Sequence, residues 1–236
     1  MQVTTTRRDG SAVNKPFAWS YSRLKNFETC PKRSWHIDIV KDVREEESEQ
    51  LKWGNMLHAA AAARLSGKKI PLTADFGVLS PWIERFEKTP GDILVEQKLA
   101  IAKDFGACDW FAKGERAAWL RVVIDVLKIN GAVALAADWK TGKIKEDSVQ
   151  LALNAACIFA HFPQIQRLRT EFIWLAEDAS SRADFSREDM PGLWRSVLPR
   201  VDAMRHAHET QSYPAKPGGI CKRWCPVEKC PHWGEG

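Results

Sequence analysis

Asn130-Gly131 constrains this chain more than any other dipeptide in it. It joins two apolar, strand-like runs within residues 119–142, WLRVVIDVLKINGAVALAADWKTG. Asn-Gly between such runs is the strongest short-range signal for a two-residue hairpin with a type I′ turn. That turn sets a register by counting: Ile129 faces Ala132, and Asp125 faces Ala136. Side chains alternate across a strand, so Asp138 falls on the face of Asp125 as a diagonal neighbour, about 7–8 Å away at Cα. Lys140 follows on that face. An otherwise apolar hairpin thus aims two carboxylates and an ammonium at one point.

Such a cluster is costly unless something compensates it. Adjacent carboxylates on a half-buried sheet repel, and one is pushed towards protonation. A divalent cation removes the conflict, and Mg²⁺ typically takes one or two carboxylates plus waters and substrate phosphate. The plainer alternative is a solvated strand face carrying an ion pair. The spacing D-x12-D-x-K across the turn favours the metal site. With Asp125 in VVIDVL and Asp138-Trp139-Lys140 in ALAADWKTG, the chain resembles the PD-(D/E)XK nuclease superfamily, specifically its RecB-like branch. Ile124 stands where the superfamily has a proline before the first acidic residue.

Composition sets wider bounds. The 236 residues suffice for one good-sized domain, or a domain with a small appendage. The net charge of +5 favours a polyanionic partner, and some of the eleven tryptophans are candidates for stacking on bases. No apolar run approaches bilayer-spanning length, and the N-terminus lacks a signal-peptide core. The chain is therefore expected in a reducing cytoplasm, where six cysteines point to metal ligation more than to disulfides. Residues 1–16 read as a flexible arm.

From Trp19, WSYSRLKNFETCPKRSWHIDIV reads as a helix capped at Ser20 or Ser22 and broken near Cys30-Pro31. LKWGNMLHAAAAARLSGKK is a second helix, ended by Gly67. ILVEQKLAIA, 93–102, alternates like a strand, and 103–116 reads as a loop holding Cys108. Ser148 caps a helix running to Pro163, with Gln150, Asn154, Cys157 and His161 along one face. EFIWLA, 171–176, is a further strand, parallel to the second strand of the hairpin, and Ser186 caps a long helix to His208.

The resemblance adds roles to these elements. It implies a central mixed α/β sheet of restriction-endonuclease type flanked by helices, spanning residues 17–210. It implies Mg²⁺ or Mn²⁺ held by His58 of a G-x-x-x-H motif, Asp125, Asp138 and the main-chain carbonyl of Trp139. It assigns Lys140 to catalysis, with Glu96 and Gln150 as further candidates. The family's Q-x-x-x-Y motif is met by Gln150, but Asn154 stands at the tyrosine.

The tail, 211–236, carries Cys221-x3-Cys225-x4-Cys230 in a Pro/Gly-rich stretch that needs a staple to be ordered. Spacing alone leaves zinc, completed by His232, and an iron–sulfur cluster balanced. The resemblance supplies Cys30, from an S-x-L-x-x-F-x-x-C-P stretch matched by Ser22, Leu24, Phe27, Cys30 and Pro31. It thereby implies a [4Fe–4S] cluster on Cys30, Cys221, Cys225 and Cys230 that joins the two ends of the chain. The function implied is a metal-dependent DNA exonuclease of recombination, repair or CRISPR-adaptation type, acting alone or with protein partners. A DNA-binding scaffold subunit with the same fold, and a zinc-stapled module, are the alternatives.

Overall fold

In a computed structural model the described residues are 16–44, 48–68, 72–145 and 147–235. The expected N-terminal arm lies outside them. Helix α1 spans Tyr21–Thr29 and α2 Pro31–Ser34, followed by a π-turn over Trp35–Val40. Then come α3 (Glu49–Leu65), α4 (Ser80–Lys88), β1 (Asp92–Ile101), β2 (Ala107–Cys108), β3 (Leu120–Asn130) and β4 (Val133–Lys140). Helix α5 (Ser148–His161), β5 (Arg167–Trp174), β6 (Ala179–Ser186) and α6 (Met190–Thr210) complete the order. The chain divides into two compact units, residues 47–193 and residues 1–46 with 194–236. The first helices thus group with the tail rather than with the sheet.

The 47–193 unit is built on one six-stranded sheet in the order β2-β1-β3-β4-β5-β6. Every neighbouring pair is antiparallel except β4 and β5, which run parallel across the crossover helix α5. On one face, Leu57 and Ala61 of α3 and Ile83 and Phe86 of α4 bury Val126, Ala137, Trp139 and Ile173. Phe86 meets Trp139 edge-on at 5.9 Å, and burying each such side chain contributes about 1.5–3 kcal/mol. On the other face Leu151 of α5 packs with Phe172 and Trp174. At the edge of this core, Glu171 is 1% exposed and paired with Arg85, whose guanidinium also lies over Trp82 and Phe86.

The hairpin differs from its expected form by one step. The turn is Gly131-Ala132, and the ladder pairs Asn130 with Val133 and Leu127 with Ala136. Gly131 takes φ 59° and Ala132 does not share a positive φ, the pattern of a type II′ turn with glycine first rather than type I′. The register sum moves by two, so faces are kept, but Asp125 now comes level with Asp138 instead of diagonal to it. Gly91 pins the neighbouring strand: at φ 110°, a Cβ there would lie 2.2 Å from the Ile129 carbonyl oxygen.

Three further expectations change. Cys108 lies in β2, paired through Ala100, rather than in a plain loop. Strand β6 ends on Ser186, which caps a short 3-10 turn (Arg187–Asp189) with Asp189 before α6 begins. Polar ASSRADFS carries no apolar run, which is why an edge strand there escapes a periodicity search. Asp147, not Ser148, is the N-cap of α5.

In the other unit, Ser20 caps α1 through Arg23 N at 3.4 Å, and α1 stops at Cys30 because Pro31 demands extended backbone before it (φ −161°, ψ 114°). Arg200 of α6 grips the Glu28 carboxylate with two hydrogen bonds, 2.6 and 2.9 Å. Tyr213 packs against Trp35 and Phe27, and burial pushes its phenol up to about 12. Lys32 N donates to the Pro214 carbonyl at 3.3 Å, and Lys216 N to Cys30 Sγ at 3.4 Å.

Candidate metal centre and thiol pocket

The sheet forks at the site. The β3–β4 ladder ends at Val126–Ala137, while β3 continues to pair with β1 down to Leu120. Beyond the fork Trp139 keeps its pairing with Ile173 of β5 but has lost β3, and side chains take the place of that strand. Trp139 N donates to Asp125 Oδ2 at 2.9 Å, and His58 Nε2 lies 3.1 Å from the Trp139 carbonyl oxygen. His58 Nδ1 is 3.3 Å from the same Asp125 Oδ2. A histidine and a carboxylate therefore stand where a strand would otherwise continue.

Helix α3 comes this close because residue 54 is glycine. A Cβ on Gly54 would sit 3.2 Å from Thr141 Oγ1, so a bulkier residue would press on the end of β4. One turn later on the same face, His58 reaches Trp139. The G-x-x-x-H spacing thus has a packing cause.

Glu96, directly across from Asp125 in the β1–β3 register, completes a tight group. Ligand atoms of His58, Glu96 and Asp125 all lie within 4.8 Å of one another. The ladder skips this one pair, since Val95–Val126 and Gln97–Ile124 bridge on either side of it. Glu96 itself takes φ 50°, strain in a non-glycine residue of the kind that clusters at functional sites.

Asp138 is turned to a second group. Its Oδ1 accepts from Gln150 Nε2 at 3.1 Å, and its Oδ2 lies 2.6 Å from Lys140 Nζ. Lys140 Nζ also donates to Gln150 Oε1 at 3.4 Å and rests 4.7 Å from the centre of the Phe172 ring. Phe172 was not legible as a site neighbour, because only the parallel β4–β5 register sets it opposite Asp138. Farther along the α5 stripe, Asn154 and Cys157 are buried, and His161 Nε2 meets the Ala100 carbonyl at 2.7 Å. That stripe serves the site at its first residue and the core thereafter.

The electrostatics report a centre short of positive charge. Burial pushes the Asp138 carboxyl upward, and the Asp125 charge adds to the push against the pull of Lys140. Burial and then Asp125 raise Glu96. Burial would lower His58, but the Asp125 carboxylate, Asp138 and the Trp139 carbonyl outweigh it and hold the imidazole above its usual value. A divalent cation beside His58 would offset the repulsion between Glu96 and Asp125 directly, and its field would ease Asp138 as well. The donor set fits one: imidazole, two carboxylates and a main-chain carbonyl suit Mn²⁺ or Mg²⁺.

Against this geometry stand the comparisons with known proteins. The profile of the PD-(D/E)XK nuclease superfamily matches residues 18–230. The chain belongs to that superfamily. Among solved structures it is similar to a provisionally assigned exonuclease from Eubacterium rectale. The identity is 11% and the TM-score 0.53, with 87% of this chain and 85% of that one covered. It is also similar to the protein SSO0001 at 14% identity and TM-score 0.49, over 96% of this chain and 92% of that one. No curated protein matches it. At these identities the structural likeness concerns the fold, and that fold is the mixed sheet with flanking helices expected from the sequence.

In the other unit, Cys30, Cys221, Cys225 and Cys230 line one pocket with Lys32, Arg33, Lys216, His232 and Trp233. All four thiols are free, Cys30 and Cys221 buried and Cys225 and Cys230 partly so. Burial raises the Cys225 thiol, Arg33 lowers it, and the neighbouring Cys221 and Cys30 raise it again. His232 pairs with Glu235 at 3.4 Å. No helix among the described residues is long and apolar enough to cross a membrane.

Proposed function

We propose that the chain is a divalent-metal-dependent DNA exonuclease of the RecB-like branch, processing DNA ends as in recombination, repair or CRISPR adaptation. The observation that carries this reading is the convergence of His58, Glu96 and Asp125 within 4.8 Å beside the Asp138–Lys140 pair, in a member of a nuclease superfamily. His58, Glu96 and Asp125 would hold Mg²⁺ or Mn²⁺ together with the Trp139 carbonyl, and Asp138 would join them by turning its Oδ2 from Lys140 to the ion. The bound metal supplies Lewis-acid polarisation of the scissile phosphate and a lowered pKa for water.

The chain's own groups supply the rest. Lys140, fixed by Gln150 and the Phe172 ring, presents its ammonium to charge developing on the phosphate, and no reorganisation is needed during reaction. Gln150 orients Asp138 through Oδ1 and so fixes the direction in which Oδ2 faces. Asp125 is locked by the Trp139 amide.

A cleavage assay on end-labelled single- and double-stranded DNA with Mn²⁺ tests the reading. Lys140→Ala and Asp138→Ala are expected to fold and to lose about 10²–10³-fold or more in rate, the usual cost of removing one preorganised electrostatic group. Full activity in either variant rejects the mechanism.

For the thiol pocket we favour a [4Fe–4S] cluster over zinc. Cys30, Cys221, Cys225 and Cys230 line one pocket, the four-cysteine set that the resemblance implies for such a cluster. Anaerobically purified protein should be brown and iron-loaded; a colourless protein with one zinc per chain refutes the cluster.

A further inference from the structure

The knuckle between Cys221 and Cys225 carries an arrangement that neither the metal centre nor the thiol pocket uses. Trp224 is 80% exposed, and Lys222 and Arg223 beside it are exposed as well. A tryptophan left in water forgoes the burial that normally places it at least at a core rim. The knuckle that presents it is tied on every side. Cys221 N donates to the Gly218 carbonyl at 2.8 Å and Trp224 N to Ile220 at 3.1 Å. Gly234 N donates to the Cys221 carbonyl at 2.8 Å. The indole of Trp233, itself 42% exposed, donates to the Cys225 carbonyl at 3.0 Å. An exposed π-face is therefore held on a fixed loop beside two cations.

We propose that this knuckle is a binding site for single-stranded DNA, with Trp224 stacking on an unpaired base and Lys222 and Arg223 contacting the flanking phosphates. The occupant follows from complementarity. A nucleic acid strand offers alternating flat rings and anionic phosphates, and this loop offers a flat ring beside two cations on a chain of net charge +5. Stacking needs a free base face, which the interior of a duplex does not present, so the preference is for unpaired strands. The proposal rests on the nuclease reading for the choice of DNA as the polyanion.

The test uses the full chain, anaerobically purified and without added divalent cation, and reads anisotropy of a labelled single strand of about 15 nucleotides, the upper site size of one binding fold, and a blunt duplex of equal length. Trp224→Ala is expected to weaken single-strand binding about five- to a hundredfold, with duplex binding changed by less than about twofold. Trp224→Phe keeps a π-face and should retain most of the affinity. Trp224→Leu keeps apolar bulk without one and should behave as alanine does. Lys222→Ala with Arg223→Ala should flatten the slope of log affinity against log salt by about 1.4.

Single-strand affinity of Trp224→Ala or Trp224→Leu within twofold of wild type overturns the proposal. So does an equal loss on duplex, or wild-type protein that binds no single strand. Anionic phospholipid vesicles form the last arm, because Trp with Lys and Arg also suits a membrane surface. Vesicle binding that depends on Trp224 while DNA binding does not overturns the proposal too. Cleavage with Mn²⁺, measured in parallel on Asp138→Ala, reports on the nuclease reading separately. A protein that never cleaves yet binds single strands through Trp224 fails that reading and keeps this site.

Discussion

In the sheet unit, Asp125 and Asp138 are held by a large apolar core that needs no ligand to form: Leu57, Ile83 and Phe86 close one face, Leu151 the other. In the thiol unit, Cys221 to Trp233 is turn after turn, with buried apolar support from Val227 and few others. One unit builds its scaffold first and sets costly charges into it. The other gathers Cys221, Cys225 and Cys230 on turns, and Cys30 at the α1–α2 junction, around one pocket. On the reading proposed above, a metal would have opposite tasks in the two places. At His58, Glu96 and Asp125 it would relieve repulsion in a frame that already stands, whereas at the cysteines binding free energy would be folding free energy.

The largest effect should come from stripping the metal of the thiol unit. Removal of iron, or Cys225→Ser, is expected to cost several kcal/mol of local order, on the scale of structural metal sites. Amides of residues 216–234 should exchange about a hundredfold faster or more, while those of β3, β4 and β5 stay protected. Uniform loss of protection in both units would break the contrast. Unchanged protection would show that the knuckle orders itself.

Next in size is the buried pair of the sheet unit. Arg85→Ala strands Glu171, 1% exposed, without its partner, and because the guanidinium itself is 34% exposed the cost is about 2–3 kcal/mol, below that of a fully buried pair. Urea unfolding measures it. Arg85→Met with Glu171→Leu should recover most of the loss, because two apolar groups of similar volume carry no orphaned charge.

The placement of the acids shows how far a sequence reaches. Alternation alone puts Asp125, Asp138 and Lys140 together, and parity survives the hairpin's change of turn. The exact level does not, because Asn-Gly fits type I′ and Gly131-Ala132 fits type II′ equally well on local grounds. The parallel strand after α5 is legible from the hydrophobicity of EFIWLA. Polar β6 is not, since the face it sets against Phe172 and Trp174 is made of Ala179, Ala183 and Phe185 with Ser181 between them, too weakly apolar an alternation to stand out. That Glu96 reaches His58 depends on a positive φ and a skipped ladder pair, and neither is written in ILVEQKLAIA. That Asp138 faces Lys140 and Gln150, rather than joining His58, follows from where the sheet forks. Packing of whole elements decides that, not spacing.

The fork also yields a smaller prediction. Gly54→Ala adds a Cβ 3.2 Å from Thr141 Oγ1, so α3 or the end of β4 must give by a few tenths of an ångström. Alanine favours helix by about 1 kcal/mol over glycine, so stability should hold or rise. The displacement falls on His58 and Trp139 instead, and Mn²⁺ affinity by calorimetry should weaken about tenfold. Weakened metal with undiminished stability is the signature of a glycine kept for approach rather than for chain flexibility. Equal affinity would place the close approach outside the metal centre's tolerance.

The smallest effect belongs to the ion pair that the thiol unit keeps near its surface. Hydrogen bonds from Arg200 hold the Glu28 carboxyl below its ordinary value, against a burial that would raise it. A depressed carboxylate contributes stability above its unfolded value, about 4.3, and loses it as pH falls through the folded value. Both side chains are 30% exposed, so solvent screens the pair and its worth is about 0.5–1 kcal/mol, well short of the Arg85–Glu171 pair. Glu28→Gln should therefore lower stability by that amount at neutral pH and by nothing resolvable in acid below the folded value, where the wild-type carboxyl has taken up its proton. A difference that persists in acid would mean that the substituted amide disturbs packing around α1, and the contrast between a screened and a buried pair would then need another example.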